Sequence, residues 1–116
     1  MGMDLAAETC VPWVEGTRPL TRPEIRDLLP VVPGWVLESG RLVRRFTFPT
    51  FVEAVKFLTQ VAVVAAEECH YPDVAVTEQR HVTFSWFTHP AGGLTANDFI
   101  MAAKVSRMAK EKGIGA

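Results

Sequence analysis

A chain of 116 residues can build one domain with a real core and leaves too little for a second. Hydrophobic residues at 48% and charged residues at 22% exclude a disordered, solvating chain. With 12 basic residues against 13 acidic ones the net charge is -1, and no basic block exists to neutralise a phosphate backbone, so nucleic-acid binding is not expected.

Residues 1–19 read as an arm, in which Pro12, Gly16 and Pro19 break any period and Trp13 is the one apolar anchor; residues 20–116 are expected to form a single domain. Three segments place Thr at a helix cap with an acid three residues on: Thr21-Arg22-Pro23-Glu24, Thr50-Phe51-Val52-Glu53 and Thr95-Ala96-Asn97-Asp98. The first helix should run from about Pro23 to Leu29 and stop before Pro30 and Pro33. From Trp35 to Phe48, two β-rich runs meet at Ser39-Gly40, which predicts a hairpin.

The second helix should extend from Phe51 to about Cys69. Phe51, Ala54, Val55, Leu58, Val61, Ala62 and Ala65 recur at helical spacing as its inner stripe. Val74 to Thr77 and Val82 to Thr88 make a second strand pair. The third helix should run from Ala96 to about Lys112, with Phe99, Ala102, Ala103 and Val105 inward and Lys104 and Arg107 outward. The order α-β-β-α-β-β-α predicts an α+β fold, a four-stranded, mainly antiparallel sheet with helices packed on one face.

In the last strand Val82, Phe84 and Trp86 share one face, while Thr83, Ser85 and Phe87 share the other. A semi-apolar bare face predicts a homo-oligomer, a dimer or tetramer. The longest apolar stretch, Val61 to Ala66, is too short to cross a bilayer, and no basic-then-apolar leader pattern is present. Cys10 and Cys69 form no disulfide framework and are expected to be reduced thiols of a cytoplasmic protein.

Chemistry concentrates in His70-Tyr71-Pro72, Thr88-His89 and the run from Gly92 to Phe99. An unperturbed imidazole can give or take a proton near neutral pH, so a converging His70 and His89 could run acid and base steps together. Plainer readings stand beside this one. His70 also suits a helix C-terminus, where the dipole favours a cation; His89 suits a turn; Asp98 suits a capping box. His81 lies eight residues from His89, roughly 26 Å along an extended strand, so a metal site built on both is not expected. Cys69 beside His70 suggests a thiol nucleophile. Adjacent helical positions point about 100° apart, however, and a buried, inert thiol is the expected state.

The stretch from Cys10 to Ala109 resembles the bacterial pterin-4a-carbinolamine dehydratases, also called 4a-hydroxytetrahydrobiopterin dehydratases. The resemblance is carried by Cys10-Val11-Pro12, Pro19-Leu20-Thr21, Pro33-Gly34-Trp35, Arg45-Phe46-Thr47-Phe48, His70-Tyr71-Pro72-Asp73, Thr88-His89 and Gly92 through Lys104. It implies dehydration of a 4a-hydroxytetrahydropterin to the quinonoid dihydropterin, in recycling the cofactor of aromatic amino acid hydroxylases. By position it implies His70 and His89 as the proton-transfer pair, with Asp98 orienting an imidazole or placing the ring. Tyr71, Pro72 and Thr88 would then line the substrate; the pterin is the substrate, and no separate cofactor or metal is implied.

The chain departs from the family pattern in places. Tyr71 stands where His or Asn is usual, Ala66 where an acid is common, and Glu78 or Gln79 near the place of a usual aromatic; the segment before Val82 is one residue longer. These departures keep a second reading open, a non-catalytic relative serving as a binding or assembly module, of the protein-interaction or RuBisCO assembly factor type.

Overall fold

In the computed structural model, which describes residues 4–11, 16 and 18–114, all three threonine caps begin helices. The anchor expected at Trp13 lies outside the described residues. Helix α1 is Arg22–Leu28 and passes into one 3-10 turn, Leu29–Val31, at Pro30. Thr21 Oγ1 accepts from the Glu24 N–H at 3.3 Å, and Glu24 Oε1 accepts from the Thr21 N–H at 2.8 Å, a complete capping box. Helix α2 is Phe51–Glu68 and α3 is Ala96–Glu111. No helix among the described residues is long and apolar enough to cross a membrane.

Strands β1, Val36–Glu38, and β2, Arg41–Thr47, join through Ser39 and Gly40, both left-handed at φ 52° and 76°. That pairing matches the strand twist in a two-residue hairpin. Strands β3, Asp73–Thr77, and β4, His81–Trp86, form the second hairpin. β4 stops at Trp86, short of the expected Thr88, because the chain turns there: Thr88 pairs only with Gly93, in an isolated bridge. The sheet runs β1-β2-β4-β3, antiparallel throughout.

Register sorts the side chains into two faces. Leu37, Leu42 and Trp86 form one row on the helix side; Arg44, Phe84 and Val74 form the next, then Phe46, Val82 and Val76. The core grows on this side: Phe46 touches the rings of Trp35, Phe57 and Phe84, at centroid distances of 6.5, 5.4 and 6.0 Å. Val36, Val43, Ser85 and Asp73 form a row on the opposite, uncovered face.

The inner stripe of α2 is Ala54, Phe57, Val61 and Ala65: Ala54, Val61 and Ala65 lie where periodicity put them and Leu58 is half-buried, whereas Phe51, Val55 and Ala62 are exposed and Phe57 takes the inner place instead. The helix is turned by roughly half the 100° that separates adjacent residues. It is apolar around much of its girth, so composition alone did not mark the buried side. Lys104 is also not simply outward. Its side chain is 13% exposed, donates to Ala6 O at 2.9 Å and lies 3.9 Å from Glu68 Oε2. The reason is the arm: the 3-10 turn Leu5–Ala7 docks on α3, with Leu5 and Ala6 buried.

Candidate active site

Helix α2 ends in a way that turns His70 toward α3. Cys69 adopts the left-handed conformation at φ 55°, its N–H bonds Ala66 O at 3.3 Å, and the His70 N–H reaches Ala65 O at 3.2 Å. This is the Schellman arrangement, normally built around glycine. Pro72 then prevents the helix from resuming. The same turn leaves Cys69 exposed, which overturns the expected buried thiol. Cys10 is the half-buried one, and burial, helped by the Glu68 carboxylate, pushes its thiol from 9.0 up to about 12.

A second turn leads from the end of β4 to α3. The Thr88 N–H donates to Gly93 O at 3.2 Å, and the Ala91 and Gly92 N–H groups both donate to Thr88 O at 3.1 Å. His89–Ala91 make one 3-10 turn between these bonds. A Cβ on Gly93 would meet Pro19 Cβ at 2.8 Å, so glycine is what lets residue 19 cross here.

Asp98 joins the two turns. Its side chain is fully buried, yet both oxygens are engaged. Oδ1 accepts from His70 Nε2 at 2.6 Å; Oδ2 accepts from Thr88 Oγ1 at 2.8 Å and from the Thr95 N–H at 2.9 Å. Thr95 Oγ1 lies 2.9 Å from Thr88 Oγ1 and can donate to it, because the Thr88 hydroxyl hydrogen is directed at Asp98. A carboxylate in the core is tolerable only with such partners, and the first turn of α3 adds the positive end of the helix dipole.

This arrangement also selects a nitrogen. A carboxylate is acceptor-only, so the hydrogen in the short bond belongs to His70 Nε2, and Nδ1 is left as the lone-pair nitrogen of the neutral ring. The imidazole lies nearly parallel to the buried Trp86 indole, centroids 5.7 Å apart at 12°, and the His70 side chain is 12% exposed. The ring is held by an edge and a face.

The structure thus brings His70, Thr88 and Asp98 into one hydrogen-bonded group. His89 stands outside that group, exposed, its ring packed edge-on against Phe87 at 5.0 Å. Burial alternates from His81 through Thr88, so Trp86, on which His70 stacks, and Phe87, against which His89 packs, point to opposite sides of the strand end. Tyr71 is exposed and Pro72 half-buried. Ala66 and Glu67 are both exposed on α2, while Glu68 faces the arm. The expectations missed Trp86 and Thr95 as neighbours of the site. The signal for Trp86 was its place two residues before Thr88 on one strand face; that for Thr95 was the capping box itself.

Among the described residues, no three His, Cys, Asp or Glu side chains converge as a metal ion would require. A cleft of about 700 Å³ between α2 and the end of α3, lined by Phe48, Lys56, Phe57 and Glu111 among others, includes none of His70, Thr88, His89 and Asp98.

The family model described as pterin 4 alpha carbinolamine dehydratase matches residues 18–108. A Cupriavidus pinatubonensis protein named as a pterin-4-alpha-carbinolamine dehydratase is 42% identical, over 94% of this chain and 95% of its own. One from Chlorobium limicola, named likewise, is 47% identical, over 87% of this chain and 92% of its own. A Brucella melitensis crystal structure, described as a transcriptional coactivator/pterin dehydratase, superposes with a TM-score of 0.73 at 31% identity, covering 79% of this chain and 99% of the other. This chain belongs to the pterin 4 alpha carbinolamine dehydratase family.

Proposed function

We propose that this chain dehydrates a 4a-hydroxytetrahydropterin to the quinonoid dihydropterin, with His70 and His89 moving the protons. The reaction removes the C4a hydroxyl as water and the proton from N5, so that a C4a–N5 double bond forms. His89, as imidazolium, gives its proton to the departing hydroxyl; His70 takes the N5 proton on Nδ1. The observation that carries this reading is the 2.6 Å bond from His70 Nε2 to a fully buried carboxylate. That bond supports Nδ1 as the proton acceptor and stabilises the imidazolium that forms, the logic of a carboxylate-oriented histidine.

The flat pterin would lie across the tip of β4 between the two imidazoles, bordered by Tyr71, Pro72 and Thr88. No metal or separate cofactor enters the reaction. The quinonoid product suits recycling of the cofactor of aromatic amino acid hydroxylases in the cytoplasm. Val36, Val43 and Phe87 on the uncovered sheet face support assembly into a homo-oligomer.

Stopped-flow observation of 4a-hydroxypterin breakdown tests the reading. The protein should accelerate it, and His70→Ala, His89→Ala and Asp98→Asn should each lose about 10²–10⁴-fold. A folded protein no faster than buffer would refute the reading. It would favour a non-catalytic partner-binding module, consistent with Tyr71 and Ala66 at positions where the family usually carries other residues and with the coactivator description of the Brucella protein.

A further inference from the structure

Two backbone residues of the arm reach the site from a distance in sequence. The Cys10 N–H donates to Glu68 Oε1 at 2.7 Å, and Glu68 is the last residue of α2, two before His70. The Val11 N–H donates to Asn97 Oδ1 at 2.9 Å, and Asn97 Nδ2 donates back to Val11 O at 2.7 Å. Asn97 is the second residue of α3, immediately before Asp98. Its amide pairs with Val11 at both ends, as a neighbouring strand would. Cys10 Sγ lies 3.9 Å from Asn97 O, within reach of a weak bond. The half-buried state of Cys10 indicates that water is partly excluded from this seam.

The His70–Asp98 bond spans the same seam. One partner hangs from the tail of α2 and the other from the head of α3, so any relative motion of those helix ends lengthens it. A crosspiece tied to both ends opposes that motion. We propose that Glu68 and Asn97 are positioning residues: they fasten Cys10 and Val11 as a splint across the two helix ends, and the splint keeps the His70 imidazole seated on Asp98. The inference rests on the reading of His70 as the proton acceptor. Further along α3, Arg107 also binds the arm, donating to Ala6 O at 3.1 Å, but it touches neither helix end.

Four single variants and one double variant test the splint. In Glu68→Ala and Asn97→Ala kcat should fall about 10-fold, a fraction of the roughly 10²-fold that an ångström of misplacement costs, with KM within about twofold. Glu68→Gln keeps an oxygen for the Cys10 N–H and should restore kcat to within about twofold of the parent. Arg107→Ala should lower the melting temperature and leave kcat unchanged. Nitrogen-15 NMR of the His70 ring gives a readout that needs no turnover. The Nε2-bound proton should be protected from exchange in the parent and in Arg107→Ala, and exposed to it in the Glu68→Ala/Asn97→Ala double variant.

An unchanged kcat in both alanine variants would overturn the proposal, as would equal damage from Glu68→Gln. If the parent protein fails to accelerate dehydration, the catalytic reading falls. The splint is then judged by the ring proton alone, and its persistence in the double variant would reject it.

Discussion

His70 and His89 share a residue type and a neighbourhood but live in opposite surroundings. His70 has its Nε2 committed to Asp98 and one face stacked on Trp86, and little of it reaches solvent. His89 is exposed on a 3-10 turn and leans on Phe87. Fold contacts settle the orientation and tautomer of the first ring, while the second is held by the edge of Phe87. The difference teaches that of two neighbouring imidazoles one can be built into the core while the other stays at the rim. The buried group is then coupled to stability and the rim group is not.

That coupling can be broken most directly by stability measurements. His70→Ala strips Asp98 Oδ1 of its donor and leaves a gap beside Trp86, so it should cost about 1–3 kcal/mol in urea denaturation. His89→Ala, at an exposed turn, should stay within about 0.5 kcal/mol. Equal losses would abolish the contrast.

Thiol reactivity sharpens the same comparison, since Cys69 opens toward solvent next to His70 and Cys10 lies in the seam behind it. With its thiol at about 12, Cys10 should alkylate about 10²–10³-fold more slowly at pH 8 than a thiol of ordinary acidity; exposed Cys69 should react promptly. Burial raises the Cys10 thiol above its value in the unfolded chain. The native state keeps its proton where the unfolded chain has lost it, so this contribution to stability is complete below pH 9 and is lost as pH rises toward 12. Comparable labelling of the two cysteines would show the seam open.

The smallest effect concerns the turn that aims His70. Glycine accepts the left-handed backbone at residue 69 without the strain a Cβ brings, so Cys69→Gly should raise stability by about 0.5–1 kcal/mol with kcat unchanged. A lower melting temperature would show that the cysteine side chain holds this turn.

Much of this molecule was legible in short windows. Thr21, Thr50 and Thr95 announced their helices because a cap needs only a hydroxyl or carboxylate and nearby N–H groups. Ser39-Gly40 announced its hairpin because the left-handed turn is local. Alternation from Val82 to Trp86 named the inner face of β4 correctly. The stripe on α2 was right at Ala54, Val61 and Ala65 and wrong at Phe51, Val55 and Ala62, because apolar residues lie on more than one of its faces and only the sheet decides which face is covered. Lys104 was misread because its partners, Ala6 in the arm and Glu68 at the end of α2, are far away in sequence.

The site divides along the same line. Residue types at 70, 88, 89 and 98 came from sequence, together with the family resemblance and the capping role of Asp98. Only tertiary structure showed that Asp98 also receives His70 and Thr88, that Trp86 floors the imidazole, and that Glu68 and Asn97 bind the arm. The physical reason is range. Caps, turns and alternation are set within a few residues along the chain, whereas a buried carboxylate takes its partners from whichever backbone segments the core brings within hydrogen-bond distance.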